Sequence, residues 1–264
     1  LVRSLLNTFS AMKQVNEGRR ITVGKRDHVG VDTEELLRRI QIAKSDAGDH
    51  KFRWMQQNDP AEVLGTLIEG IQQVLPNWKV CPIGLRSYDT CGNCSNERRA
   101  GRESEPHLLL NPKSNLDGSL EDSMAPEPLN DRICVACDSS QISRRVLVKS
   151  APEVLVIQLN RALPDGSKDS TIVDFPSPFT LSLPCRKHGQ VRLVAYDLQS
   201  VVCHQGDSAV DGHYFTYANR DGKWYLFNDA GVTAIPFDLM ANSINTKQAY
   251  MYVFEKLGSF DPRP

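Results

Sequence analysis

The stretch Asp211-Gly212-His213-Tyr214-Phe215-Thr216-Tyr217-Ala218-Asn219-Arg220-Asp221-Gly222-Lys223-Trp224-Tyr225-Leu226-Phe227-Asn228-Asp229 decides how the chain is read. His213 to Ala218 is rich in aromatic residues and Thr, which suit a pleated strand. Asp221-Gly222 marks a tight turn, because both central residues of a type I′ turn need positive φ. Lys223 to Phe227 then returns as the second strand of a hairpin. The register decides the chemistry. A two-residue loop pairs Arg220 with Lys223 and puts Asn228 diagonally across from His213 on one face. A three-residue loop pairs Asn219 with Lys223 and sets Asp229 directly opposite His213. In either case an imidazole has an Asn or Asp within side-chain reach. Such a partner holds one tautomer and frees the other ring nitrogen to take a proton. Asp221-Gly222 suits the two-residue loop best, which favours Asn228.

Length and composition bound the possibilities. The chain has 264 residues, enough for one large domain or two small ones. It carries 31 Lys and Arg against 32 Asp and Glu. A net charge of -1 gives no global pull toward nucleic acid or a membrane surface. No apolar run approaches the ~20 residues of a membrane helix, and no signal-peptide pattern opens the chain. Four of the seven cysteines stand in Cys91-Gly92-Asn93-Cys94 and Cys134-Val135-Ala136-Cys137. Each pair can form a knuckle giving two thiolates to one metal. Two knuckles complete a closed tetrahedral zinc site with no position open for chemistry, so the metal would be structural. An odd cysteine count with paired knuckles suits a reducing compartment, the cytoplasm or nucleus, better than a disulfide framework.

Gly212-His213-Tyr214, followed by Gly222-Lys223-Trp224-Tyr225 and Phe227-Asn228-Asp229, resembles the C-terminal histidine box of the ubiquitin-specific proteases. These are papain-like cysteine proteases that cleave after the C-terminus of ubiquitin. Further stretches carry the likeness. Gln57, Asp59, Glu62 and Leu64 match the family's Q-Q-D-A-x-E-F-L, with Asn58, Pro60 and Val63 departing from it. Ser119-Leu120-Glu121-Asp122 resembles S-L-E-D. Pro152 to Arg161 matches a family stretch in which Ala162 replaces the usual Phe. Tyr196 to Gly206 matches Y-x-L-x-x-V-x-x-H-x-G, and Ala249 to Phe254 the closing strand.

The resemblance implies an α+β, papain-like fold of the ubiquitin-specific protease type. It places thumb helices in residues 1–78, zinc-bearing fingers in 79–145 and a β-rich palm in 146–257, with a short tail over 258–264. It implies thiol-dependent hydrolysis of isopeptide or peptide bonds at ubiquitin's C-terminal glycine, on ubiquitin and ubiquitinated proteins. His213 would be the base, and Asn228 or Asp229 its orienter. Gln57, Asp59, Glu62, His204, Gly212 and Tyr214 would line the groove for the ubiquitin tail, and Gly212 would let backbone approach a bound chain closely.

One required part is missing. The family's nucleophile lies in a box G-L-x-N-x-G-N-T-C-[FY]-x-N-S, which Asn7-Thr8-Phe9 only echoes. Leu1, Val2, Leu5, Leu6, Phe9, Met12 and Val15 follow a helical stripe with no N-cap before it. The reading is therefore an N-terminally truncated catalytic domain whose cysteine stands before Leu1. A different class is a ubiquitin-binding or scaffolding domain that keeps the fold without the cysteine. Cys81 stands alone and reads as a packing or surface residue; Cys185 and Cys203 read as structural or incidental thiols, since no helix N-terminus is near them to lower a thiol pKa.

Local patterns complete the expectations. Asp32 is read as an N-cap for a helix from Thr33 to about Ala43. Asp59 caps another, with Pro60 at its first position and an apolar face of Val63, Leu64, Leu67, Ile68, Ile71, Val74 and Leu75. Ser119 is read as the cap of a short helix between the knuckles. Strands are expected over Arg145 to Lys149, Val154 to Leu159, Ile172 to Phe175, Phe179 to Leu183, Gly231 to Ile235 and Tyr250 to Lys256, with Val191 to Val202 a long strand or a bent pair.

Overall fold

The structure is a computed structural model. It describes residues 21–23, 26–28, 34–46, 48, 58–77, 80–174, 178–184, 191–209, 211–229, 231–244 and 248–260. The expected opening helix, the Asp32 cap and Gln57 lie outside those residues. The chain divides into two compact units, residues 1–78 and 79–264.

Among its described residues, the first unit holds a small antiparallel pair, β1 (Ile21–Val23) and β2 (Arg26–His28), and two helices, α1 (Glu34–Asp46) and α2 (Pro60–Val74). The α2 start is the one its sequence dictates. Asp59 is extended, its Oδ1 accepts from the Ala61 amide at 2.8 Å, and Pro60 occupies the first turn. Leu36 and Ile40 of α1 pack against Val63, Leu67 and Ile71 of α2. The apolar stripe ends one turn early: Val74 and Leu75 are exposed.

The second unit is built on two sheets. Its palm sheet contains β5 (Leu108–Leu110), β8 (Val154–Leu159), β9 (Phe179–Pro184), β10 (Val191–Gln205), β11 (His213–Arg220), β12 (Lys223–Asn228), β13 (Gly231–Ile235) and β14 (Ala249–Phe260). Their order is β13-β12-β11-β10-β14-β8-β5, with β9 also on β10. The strand β10 is continuous and serves as the spine. Val191–Tyr196 pairs with β9, Ser200–Gln205 pairs with β11, and β14 runs along the opposite edge with three register shifts. Leu155, Ile157, Leu159, Phe179, Leu181, Val194, Tyr196, Tyr252 and Phe254 are sealed from solvent beneath it. The Tyr196 hydroxyl donates to the Pro152 carbonyl at 2.7 Å, which satisfies its one buried polar atom.

The finger sheet is β4 (Glu97–Glu105), β3 (Ile83–Cys91), β7 (Ile142–Ser150) and β6 (Glu127–Leu129), in that order and antiparallel. Ile83 and Val148 at one end of this sheet join the palm core. The cysteine knuckles stand at the other end.

Three local expectations are corrected. The helix between the knuckles, α3 (Leu116–Met124), is capped by Asn115, whose Oδ1 accepts from Gly118 N at 2.7 Å. Ser119 sits one turn inside it, fully buried. Its hydroxyl donates to Asn115 O at 3.0 Å and accepts from Lys113 N at 2.9 Å. Both residues can cap, and the earlier one takes the role. The segment Ile172 to Asp174 makes only a single bridge, Asp174 to Asn115, in place of a strand. A helix, α4 (Phe237–Ile244), follows β13 where none was expected, and buries Met240.

Candidate active site and metal centre

The hairpin adopts the two-residue register. Arg220 pairs with Lys223, Asn219 with Trp224 and Thr216 with Phe227. Asp221 and Gly222 have φ of 51° and 76°, the left-handed pair a type I′ turn demands. Asn219 Oδ1 accepts from the Gly222 amide at 3.0 Å. A second tight connection follows, since Asn228 pairs with Gly231 and Asp229 stands at φ 50°.

This register brings His213 Nε2 to 2.6 Å from Asn228 Oδ1. Asp229 Oδ2 lies at 4.0 Å, and its side chain is 82% exposed against 33% for His213. The amide oxygen can only accept, so Nε2 carries the hydrogen and the neutral ring's lone pair sits on Nδ1. Asp229, held in solvent, adds little to that geometry. Phe215 stacks near the imidazole, with ring centroids 6.4 Å apart.

His213 also pairs through backbone with Gln205, the last residue of β10. The neighbouring pair is His204 and Tyr214. His204 is buried, stacked on Tyr214 at 4.5 Å and edge-on to Tyr250 at 6.3 Å. A side chain at Gly212 would collide with the His204 ring and the Gln205 carbonyl. The close approach that Gly212 allows is thus to its own chain.

Sequence reasoning missed the group beneath this corner. Lys168 is buried and donates its ammonium hydrogens to the carbonyls of His204 and of Gly206, the latter at 3.2 Å. Those two carbonyls flank Gln205, the backbone partner of His213. Arg161, also buried, donates to the carbonyls of Ala249, Asp169 and Thr171 at 2.6, 2.8 and 2.9 Å. Burial pulls both cations' pKa values down. Arg161 lay in a stretch that carried the family likeness, but nothing local to Lys168 marks it, because its acceptors are 36 and 38 residues away.

The described cysteines sort by position. Cys203 is fully buried in β10, and burial pushes its thiol up to about 12, the reverse of an activated nucleophile. Cys81 follows Val80, whose carbonyl accepts from Val154 N. Val154 pairs with Glu255, and Glu255 with Asp197. At ~3.3 Å per residue, Asp197 stands about 26 Å along β10 from the residue that faces His213. Cys185 lies outside the described residues; Pro184 before it pairs with Val191, at the far end of that strand.

The remaining four, Cys91, Cys94, Cys134 and Cys137, come together with all their sulfurs within 4.8 Å of one another. The two knuckles are built alike. The Cys91 amide donates to Asn96 O and the Cys134 amide to Ser139 O, while the Ser95 amide donates to Cys91 O and the Asp138 amide to Cys134 O. Ser95 and Asp138 occupy the same left-handed region, φ 57° and 55°. Sulfur separations of 3.6 Å, Cys91 to Cys137 and Cys94 to Cys134, fit the ~3.8 Å edge of a tetrahedron with Zn–S bonds of ~2.3 Å. The Cys94 and Asn93 amides, aimed at the Cys91 sulfur, lower its pKa to about 6 against the effect of burial. The donor set and spacing fit a closed zinc ribbon.

In the first unit, Asp59 and Glu62 occupy the first turn of α2, where Asp59 caps the helix.

With this geometry in place, the comparisons with known proteins are direct. The sequence model of the ubiquitin carboxyl-terminal hydrolase family matches residues 1–254. The chain belongs to that family. It is 27% identical over 192 residues to ubiquitin carboxyl-terminal hydrolase 3 of Homo sapiens, covering 67% of this chain and 36% of that protein. It is 31% identical over 159 residues to ubiquitin carboxyl-terminal hydrolase 48 of Danio rerio, covering 55% and 15%. The chain therefore spans well under half the length of these relatives. Among solved structures it resembles the SAGA Ubp8/Sgf11/Sus1/Sgf73 DUB module bound to ubiquitin aldehyde, with a TM-score of 0.70 and 21% identity over 94% of this chain and 63% of the other. The same module bound to monoubiquitin gives 0.64 and 24%, over 82% and 52%. The fold is the α+β fold of the ubiquitin-specific proteases.

Proposed function

We propose that this chain supplies the base and its orienter for a cysteine-type hydrolase that cleaves isopeptide and peptide bonds at the C-terminal glycine of ubiquitin. The observation that carries the reading is the 2.6 Å contact between His213 Nε2 and Asn228 Oδ1, with Nδ1 as the proton-accepting nitrogen. His213 Nδ1 takes the thiol proton as the thiolate attacks the glycine carbonyl. It then returns the proton to the leaving amine, and Asn228 holds the ring through both transfers. Asp229, 4.0 Å from Nε2 and largely exposed, adds only a screened attraction to the imidazolium. Lys168 positions the base by tying down the backbone on both sides of Gln205. His204, Gly212 and Tyr214 form the packed wall beside His213, and Gln57, Asp59 and Glu62 belong to the groove for the ubiquitin tail.

The nucleophile is not one of the described cysteines: four are clustered, Cys203 is sealed in the core, and Cys81 is far along the sheet. This reading takes the nucleophile from the family's cysteine box, a motif that residues 1–264 do not carry. Zinc held by Cys91, Cys94, Cys134 and Cys137 fixes the far end of the finger sheet and takes no part in the chemistry. The setting is cytoplasmic or nuclear, where such thiols stay reduced.

Incubation with a fluorogenic conjugate of the ubiquitin C-terminus tests this. The 264-residue chain should bind ubiquitin without turnover. The full-length protein should turn the conjugate over and lose that activity on His213→Ala. Turnover by the 264-residue chain that disappears on Cys203→Ser or Cys185→Ser would contradict it. A full-length protein that binds but never cleaves would leave the scaffolding reading instead.

A further inference from the structure

One face of the finger sheet carries an excess of positive charge that the fold leaves unbalanced. The pairings Arg86 with Arg102 and with Leu147, and Tyr88 with Arg99 and with Arg145, put Arg86, Tyr88, Arg99, Arg102, Arg145 and Leu147 on one face. Lys149 shares it, two positions beyond Leu147. A bulge between Ser87 and Tyr88 keeps both Arg99 and Arg102 there, although they are three residues apart. Among the described strand residues of the sheet, Glu97, opposite Thr90, is the carboxylate on this face, and it is engaged by Arg145 at 2.7 Å; Asp117 and Glu121 of α3 line a cavity with Leu147 at the edge of the face. Among the described residues no ion pair involves Arg86, Arg99, Arg102 or Lys149.

The opposite face treats its cations differently. There Asp89 is buried and accepts from Arg144 at 2.8 and 3.1 Å and from Arg132 at 2.9 Å, with Arg98 at 3.7 Å. So the sheet neutralises arginine on one face and stacks arginine opposite arginine on the other. Like charges directly across a strand pair are destabilising. The excess shows in what surrounds Tyr88. Arg145 and Lys149 lie over its ring at 5.9 and 5.8 Å. Burial, the largest single influence on its phenol, acts to raise the pKa. The hydrogen bond from Arg86, with the charges of Lys149, Arg86 and Arg99, overrides it and lowers the value. The Nε atoms of Arg86 and Arg145 are buried with no acceptor among the described residues.

We propose that this face of the finger sheet is a docking surface for an extended acidic segment of a partner protein. Its chemistry is Asp or Glu at alternate positions. Side chains on one side of an extended peptide recur every ~6.6–6.8 Å, and so do the Arg86–Arg102 and Tyr88–Arg99 rows of the sheet. A carboxylate at every second residue meets one row each, and guanidinium forks take carboxylates in bidentate fashion. A protein segment fits better than a nucleic acid. The basic area is confined to a few rows of one sheet, whereas single-stranded nucleic acids need a long basic groove with aromatic faces open for stacking. Tyr88 already has Arg145 and Lys149 over its ring. The proposal does not depend on the role of His213.

The test is fluorescence anisotropy with a fluorescein-labelled octapeptide of alternating Glu and Ser. Saturable binding by the 264-residue chain is expected, weakening steeply as salt rises from about 50 to 200 mM, since exposed charges are screened over ~10 Å. Arg86→Glu with Arg102→Glu should weaken it at least about tenfold, as reversal of two contacting charges does at charge-matched interfaces. Arg220→Glu with Lys223→Glu, at the hairpin tip, should leave it unchanged. If the first pair fails to fold by thermal melt, Arg99→Gln with Arg102→Gln, both exposed, takes its place. Absence of saturable binding would overturn the proposal, as would equal loss in the hairpin-tip control. Tighter binding of an oligodeoxythymidine of matched charge would make the face a nucleic-acid site and overturn it too. Displacement of the peptide by excess ubiquitin would merge the face with the ubiquitin site, which is likewise a refutation.

Discussion

The two sheets of the second unit are held together by opposite means. The palm closes over fully buried aliphatic and aromatic side chains, with Tyr196, Tyr252, Phe179 and Phe254 at its centre. The finger sheet buries far fewer such side chains: Ile83 and Val148 at the palm end, and Ile142 with Leu129 packed against it beside the cysteines. Its strand β4 reads Glu-Arg-Arg-Ala-Gly-Arg-Glu-Ser-Glu and is mostly exposed. It is pinned by four cysteines at one end and by Asp89 with its arginines along one face. A largely polar sheet gains little from burial, so it relies on a cysteine cluster fitted to zinc and on a charged clasp. The palm, which carries His213 and Asn228, gets its rigidity from packing.

Metal removal should separate the two most sharply. Structural zinc contributes on the order of 10–16 kcal/mol of apparent binding free energy in small zinc sites. Chelation, or Cys134→Ser, should raise amide exchange in β3 and β4 by at least about a hundredfold and leave β10 within about tenfold of the holoprotein. Metal analysis should find close to one zinc per chain before chelation. Equal acceleration in both sheets, or in neither, would break the comparison.

The palm should answer to a cavity instead. Phe254 lies against Phe179 and Tyr252 with centroids at 5.3 and 6.2 Å. Phe254→Ala should cost about 3–5 kcal/mol in urea unfolding, with zinc retained until the whole unit melts. A change smaller than about 1 kcal/mol would mean that the core relaxes to fill the gap.

Asp89→Ala should act on the fingers alone and more mildly, about 1–3 kcal/mol, because the arginines it leaves behind are partly solvated. The readout is exchange at β3 amides. A larger loss in β10 than in β3 would show that the clasp supports the palm after all.

Much of the site was legible because it is local. His213, the Asp221-Gly222 turn and Asn228 sit within one hairpin, and turn chemistry alone selects the register. The two cysteine pairs announce themselves by spacing, and Asp59-Pro60 sets the start of α2. What could not be read depends on distant partners or on weak patterns. β4 shows no apolar alternation, since both of its faces are polar. Lys168 looks like a solvated turn residue until the carbonyls of His204 and Gly206 are seen around it. Ser119 and Asn115 are both competent caps, and only the fold decides between them. The α4 helix is a short element lying between strand runs, where periodicity has little length to speak.

The smallest structural change carries the largest chemical consequence. Asn228 is exposed, so Asn228→Ala should shift stability by no more than about 0.5 kcal/mol. On a ubiquitin conjugate, the full-length protein carrying that change should lose about 10²–10⁴ in kcat, the scale seen when hydrolase triads lose their orienter. Asp229→Ala should remain within a few-fold of wild type. The opposite result, a crippled Asp229→Ala beside a nearly normal Asn228→Ala, would contradict the assignment of His213 and Asn228 as the working pair.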